Sequence, residues 1–192
     1  MKHIKFFFIL IISLSFSIIA FGQADSLGFT NKAEAKNLMV NGLKEGKWVE
    51  YIYRTNEGNW SVTIDTAMAG YYSLTIYRSG KPFGIVKNYY KNGLFAAEIP
   101  YRKGKKDGVE KWFWENGVLE DIAIYHNGNE IGMEKSYDYN GKLMEETPYT
   151  NGKENGIQKV YNDDGTLKYQ TTYVHGKVRA SKKLTKNGNE IK

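Results

Sequence analysis

The chain of 192 residues contains no cysteine. That excludes disulfides, thiolate metal sites, a thiol nucleophile and lipid attachment to a cysteine after export. Histidine is almost as scarce. Of the three present, only His126 and His175 lie beyond residue 22, and no H-x-x-x-H or H-E-x-x-H spacing occurs. Neither a metal nor a cofactor is expected. No block of five or six like charges appears, and lysines alternate with acids, so the formal charge of +6 reads as solvated surface. Nucleic acid is therefore not an expected partner. The glycine-rich stretch NGLKEGKW (41–48) lacks the G-x-x-x-x-G-K-[ST] pattern of a phosphate loop. Without a converging set of acids, bases and ligands, the chain is not expected to be an enzyme.

What is present begins with residues 1–22. MKHIK supplies a positive start, FFFILIISLSFSIIA an apolar stretch, and Ala20-Phe21-Gly22 small residues at the −3 and −1 positions. This is the pattern of a secretory signal peptide cleaved after Gly22. The apolar run is short for a membrane span and holds three serines, which argues against an uncleaved anchor. Export to the periplasm or the medium, without a lipid anchor, is expected. Loss of Lys2 and Lys5 with this segment takes the formal charge from +6 to +4.

The second half of the chain repeats every 24 residues. Tyr77, Tyr101, Tyr125, Tyr149 and Tyr173 keep that spacing, and Gly80, Gly104, Gly128, Gly152 and Gly176 follow three residues behind. A fixed period of 20–50 residues marks a repeat architecture, in which each unit buries its apolar side only against its neighbours. The consensus is Y-x-x-G-K-x-x-G-[apolar]-x-K-x-[aromatic]-x-x-N-G-x-[Leu/Phe].

Each unit predicts a β-hairpin. Asn92-Gly93, Asn116-Gly117, Asn140-Gly141 and Asp164-Gly165 sit between short segments rich in aromatic and β-branched residues. Asp163-Asp164-Gly165 takes the place of Asn-Gly, so it reads as a turn rather than a calcium loop. The structural turn positions are Gly80, Gly84, Gly93, Gly104, Gly108, Gly117, Gly128, Gly132, Gly141, Gly152, Gly156 and Gly165. Consecutive hairpins should join into an all-β, single-domain, elongated antiparallel meander.

A three-residue loop with Gly93 left-handed would pair Tyr89 with Phe95 and Ile85 with Ile99. The same rule pairs Phe113 with Leu119, Tyr137 with Leu143 and Tyr161 with Leu167, and sets Lys111 opposite Asp121 and Lys135 opposite Glu145. Lys87, Lys111, Lys135 and Lys159 then share a structural face, their stems expected over aromatic rings.

The ends depart from the pattern. Residues 23–40 are a lead-in, and the repeat region runs over 41–192. Its first unit (41–58) has a longer turn, and an insertion (59–76) reads as an irregular hairpin built on Val62/Ile64 and Tyr71/Leu74/Ile76. The last unit carries Ser181, Lys182 and Lys183 where others are apolar, which suits a capping strand.

The G-K-x-x-G-x-x-x-x-[YFW] run followed by N-G resembles the bacterial variant of the MORN repeat, over about residues 41–192. It is most similar to the YwqK-type family, labelled antitoxin components. The resemblance implies a binding scaffold. Joined to an export signal, it implies an immunity-type protein acting on an exported toxin.

One surface stands out on the face opposite the lysines. Val86, Tyr90, Leu94, Trp112, Trp114, Val118, Ile122 and Ile124 fall there, while the next two units place Glu134, Ser136, Asp138, Gln158, Asn162 and Lys168. An aromatic and aliphatic patch on an otherwise polar sheet face suggests an interaction surface. A partner protein, an internal cover from 23–40 or 59–76, and a second copy of the chain all fit it. An envelope glycan or lipid head group is the alternative ligand.

Overall fold

The computed structural model describes residue 29 and residues 31–54, 60–185 and 187–191. The expected signal peptide and residues 23–28 of the lead-in lie outside these. Sixteen strands follow one another without an α-helix among the described residues. They are β1 (Leu38–Val40), β2 (Leu43–Arg54), β3 (Trp60–Thr63), β4 (Tyr71–Arg78), β5 (Lys81–Tyr90), β6 (Phe95–Arg102), β7 (Lys105–Lys106) and β8 (Gly108–Phe113). The series continues with β9 (Leu119–His126), β10 (Asn129–Tyr137), β11 (Leu143–Thr150), β12 (Lys153–Glu154), β13 (Gly156–Tyr161), β14 (Leu167–Val174), β15 (Lys177–Leu184) and β16 (Glu190–Ile191). All join a single open antiparallel sheet in a hairpin meander.

Two kinds of turn alternate along it. At the Asn-Gly sites the loop has three residues. Gly93 (φ +91°) donates to the Tyr90 carbonyl, and the Tyr90 amide donates to Leu94 O at 2.8 Å. At the other edge the turn is a two-residue one with both central residues at positive φ, as at Ser79-Gly80 and Asn127-Gly128. That geometry matches the right-handed twist of the flanking strands. Successive turns on this edge are stitched together, since Gly128 N donates to Lys106 O and Gly152 N to Glu130 O, each at 2.8 Å. All twelve glycines read as turn positions have positive φ.

The register agrees with expectation beside each loop and departs beyond it. Tyr89–Phe95, Phe113–Leu119, Tyr137–Leu143 and Tyr161–Leu167 pair as predicted. One residue is then left unpaired in the returning strand: Ala96, Glu120, Met144 and Lys168, again 24 apart. A β-bulge of this kind inverts which face the rest of the strand presents. Ile85 therefore meets Pro100 and Val86 meets Ile99, not Ile85 with Ile99. Lys111 meets Ile122 rather than Asp121, and Lys135 meets Glu146 rather than Glu145.

The bulged register has a packing reason. It brings Val86 together with Ala97 and Ile99 into a buried cluster. It also gives the lysine row carboxylate partners: Lys111 Nζ lies 2.9 Å from Glu98, and Lys135 and Lys159 Nζ lie 3.0 and 4.0 Å from Glu146. These three lysine heads meet acids on adjacent strands. Each such half-exposed pair contributes about 0.2–1 kcal/mol.

The insertion is not a hairpin of its own. β3 and β4 both pair with β2, on opposite sides: Tyr51 faces Thr63 on one and Tyr72 on the other. The end of the lead-in crosses the lysine face, where Phe29 is buried with Tyr72 and Leu74. At the far end the lysine-rich strand β15 is exposed along seven of its eight residues and is followed only by the two-residue β16.

Candidate functional site

Direct cross-strand pairs share a face. Following them across the sheet traces one row: Ser73–Asn88, Asn88–Ala97, Ala97–Trp112, Trp112–Asp121, Asp121–Ser136 and Ser136–Glu145. Position 88 recurs as Trp112 and Ser136, and position 97 as Asp121 and Glu145. One geometric slot thus carries different chemistry in successive units. The row passes from buried polar groups, through aromatics, to carboxylates.

Aromatic rings are held together in the middle of this face. Tyr71 lies 5.0 Å from Tyr90 between ring centroids and meets Trp112 edge-on at 6.5 Å. Trp112 Nε1 donates to Glu110 Oε1 at 2.8 Å, which fixes the indole. Tyr90 donates its hydroxyl to Phe113 O at 2.7 Å, and burial pushes its pKa up to about 12. Trp114 Nε1 donates to Tyr137 O at 3.1 Å, with Tyr139 6.0 Å away between ring centroids.

The eight residues expected to form one patch do not all meet. Val86, Tyr90, Trp112 and Trp114 share the face as expected. Leu94 and Val118 sit at the loop ends. Ile122 and Ile124 pair with Lys111 and Val109, so the bulge at Glu120 carries both to the lysine face. In their place the structure adds Tyr71, Tyr139 and Met144, the last two about half exposed. Tyr71 belongs to the insertion and stands 24 residues before Phe95, but it pairs with Tyr90 on the Trp112 face, whereas Phe95 pairs with Tyr89 on the lysine face. Only its pairing with Tyr90 could have revealed it.

Beyond Trp112 the face turns acidic. Asp121 is pushed up to about 7, mainly by burial and then by Glu134, Glu110 and Glu120. Glu130 likewise rises to about 7, from burial followed by Glu134 and Asp121. Burial also raises Glu134, against a hydrogen bond from the Tyr149 hydroxyl that lowers it. Glu110 ion-pairs with Lys106 at 2.5 Å. Among the described residues no group of three or more His, Asp or Glu is arranged to hold a metal ion.

No curated protein matches the chain. The solved structure described as "Crystal Structure of TarM" is similar over 56% of this chain and 20% of its own, at 18% identity and a TM-score of 0.36. This chain thus spans about a fifth of that protein's length. The family model described as MORN repeat variant matches three consecutive stretches, 106–127, 130–151 and 154–175. The matches fall between the end of β7 and the end of β14, on the regular 24-residue hairpins of the sheet.

Proposed function

We propose that this chain is a non-enzymatic, exported repeat scaffold that holds a partner protein against the aromatic stretch of the face bearing Trp112. The observation that carries this reading is the run Tyr90–Tyr71–Trp112 with Trp114 and Tyr139 beside it, which no described segment covers. Phe29 packs on the opposite face, and the insertion enters the sheet as strands β3 and β4 instead of folding over it. Tyrosine and tryptophan are the residues that anchor protein interfaces, because they bring large rigid area with a polar handle. The repeat type supports a scaffold for protein or membrane contact. The similarity to YwqK-type antitoxin components supports an immunity-type partner, a toxin exported like the scaffold itself.

The test is affinity capture by tagged residues 23–192 from envelope and medium fractions, beside a Trp114→Ala/Tyr139→Ala variant. The variant must retain the wild-type β-sheet circular dichroism. A foreign protein retained by the wild type and reduced at least about tenfold by the variant is the expected result, since central aromatic anchors carry 2 kcal/mol or more. Equal recovery by both removes the aromatic stretch as the docking surface. Recovery of the chain itself would make the surface a homodimer interface and overturn the partner reading.

A further inference from the structure

The polar end of the same row borders a groove of about 310 Å³, at the small end of the 300–1,000 Å³ typical of small-molecule sites. Its floor is unusual for an open sheet. Ser73, Thr75, Asn88 and Glu110 are polar, yet their exposures are only 6%, 3%, 4% and 5%. The Ser73 and Thr75 hydroxyls lie 3.1 Å apart and share one hydrogen bond, which leaves one hydroxyl hydrogen to donate elsewhere. Oδ1 of Asn88 has no hydrogen-bond partner among the described residues. A buried acceptor left unmatched weakens the fold unless something donates to it.

The walls narrow the class of ligand. Tyr77, Tyr101 and Trp112 line the groove. Its carboxylates are already matched: Glu50 by Lys44 and by the Tyr77 hydroxyl at 2.6 Å, Glu110 by Lys106 and the Trp112 indole. The charges balance, so an ionic ligand gains no unpaired partner. A neutral molecule carrying several hydroxyls can donate to Asn88, exchange hydrogen bonds with Ser73 and Thr75, and lay an apolar ring face on an aromatic wall. Ala97, fully buried, stands between Asn88 and Trp112 in the slot where later units carry Asp121 and Glu145.

We infer that the groove between β4 and β8 is a binding site for a single saccharide unit, received by Asn88, Ser73 and Thr75 against Trp112. The site shares Trp112 with the partner-protein surface, but Trp114 and Tyr139 do not line it, so variants at those two residues test the partner reading separately.

Saturation-transfer NMR on residues 23–192 tests it, with methyl glucoside and N-acetylglucosamine as neutral probes and free arginine as the cationic one. Transfer to at least one sugar and none to arginine is expected. Asn88→Leu, close in volume, should weaken the sugar signal at least tenfold while the melting temperature holds or rises. Ser73→Ala/Thr75→Val is the second variant and should also weaken it. Trp114→Ala/Tyr139→Ala should leave the sugar signal in place, so loss of protein capture and loss of saccharide binding remain separate results. Transfer to arginine instead, no transfer to either sugar, or an undiminished signal in the groove variants would overturn the assignment.

Discussion

Gly108→Val is expected to lower the melting temperature by about 8–16 °C, the shift that about 4 kcal/mol produces in a domain of this size. Two terms add. Gly108 has φ +130°, a backbone state that side-chain-bearing residues rarely adopt, worth about 1–3 kcal/mol of strain. A Cβ there would also stand 2.9 Å from Pro100 Cγ and 3.2 Å from Pro100 Cβ. A rigid pyrrolidine ring cannot swing aside, so overpacking adds about 1–3 kcal/mol more. Gly156 repeats the arrangement against Pro148, at 2.8 and 3.3 Å with φ +132°.

Gly84→Ala is the control. Gly84 has φ +74° with nothing within 4 Å of a built Cβ, so only the left-handed penalty of about 1–2 kcal/mol should appear. Thermal melts of Gly108→Ala and Gly84→Ala therefore separate crowding from backbone strain. Equal losses would refute the proline contact. A double variant, Pro100→Ala with Gly108→Ala, should lose less than the sum of its parts, because the two residues touch.

Melting should also depend on pH in an unusual direction. Asp121 and Glu130 have folded-state pKa values pushed up to about 7, whereas ordinary values for these side chains are near 4. Between about pH 4 and 7 the folded chain therefore binds more protons than the unfolded chain, and stability falls as pH climbs through that window. It then levels off above about pH 7. The groups facing Asp121 are Glu110 from β8, Glu120 from its own strand and Glu134 from β10, with Lys106 opposing them. Glu130 faces Glu134, Asp121, the Tyr125 hydroxyl and Glu110.

Discounted for solvent screening at these half-buried groups, the effect is about 2 kcal/mol. The melting temperature at pH 5 should thus exceed that at pH 8 by about 4–8 °C. Asp121→Asn should raise it at pH 8, change it little at pH 5, and flatten the profile. Glu146, whose pKa is lowered chiefly by its hydrogen bond from Tyr161, acts only below the ordinary carboxylate range and leaves this window untouched. A chain that melts higher at pH 8 than at pH 5 would refute the carboxylate cluster.

Much of the fold was legible from residues alone. Asn-Gly and its neighbours announce hairpins because so few residue types accept positive φ, and the 24-residue spacing shows that the same hairpin recurs. The two-residue turns were harder to see. Lys103 and His175 occupy left-handed positions at φ +52° and +51°, where neither residue type advertises a turn. The glycine linkers also look alike in sequence but differ in space. Where proline stands at 100 or 148, the following Gly108 or Gly156 opens to φ near +130°, while Gly84 and Gly132 stay near +75°.

The candidate site was half legible. Trp112 and Trp114 were placed on the right face because they lie in the outgoing strand, before any bulge. Ile122 and Ile124 lie in the returning strand, after the unpaired Glu120, and were misplaced for that reason alone. The acidic cluster was invisible for the same reason, since Asp121 had been set beside Lys111. Nothing in the repeat pattern singles out Asn88; its pairing with Ser73 and Ala97 puts it at the floor of a groove.

The sequence by itself determined the period, the strands and the turn sites, all consequences of local backbone chemistry and of alternation within a few residues. Only the tertiary structure decided which side chains share a face, because a face is set by a running count across paired strands. One extra residue per hairpin inverts that count, and packing of Val86 with Ala97 and Ile99 favours the inverted register.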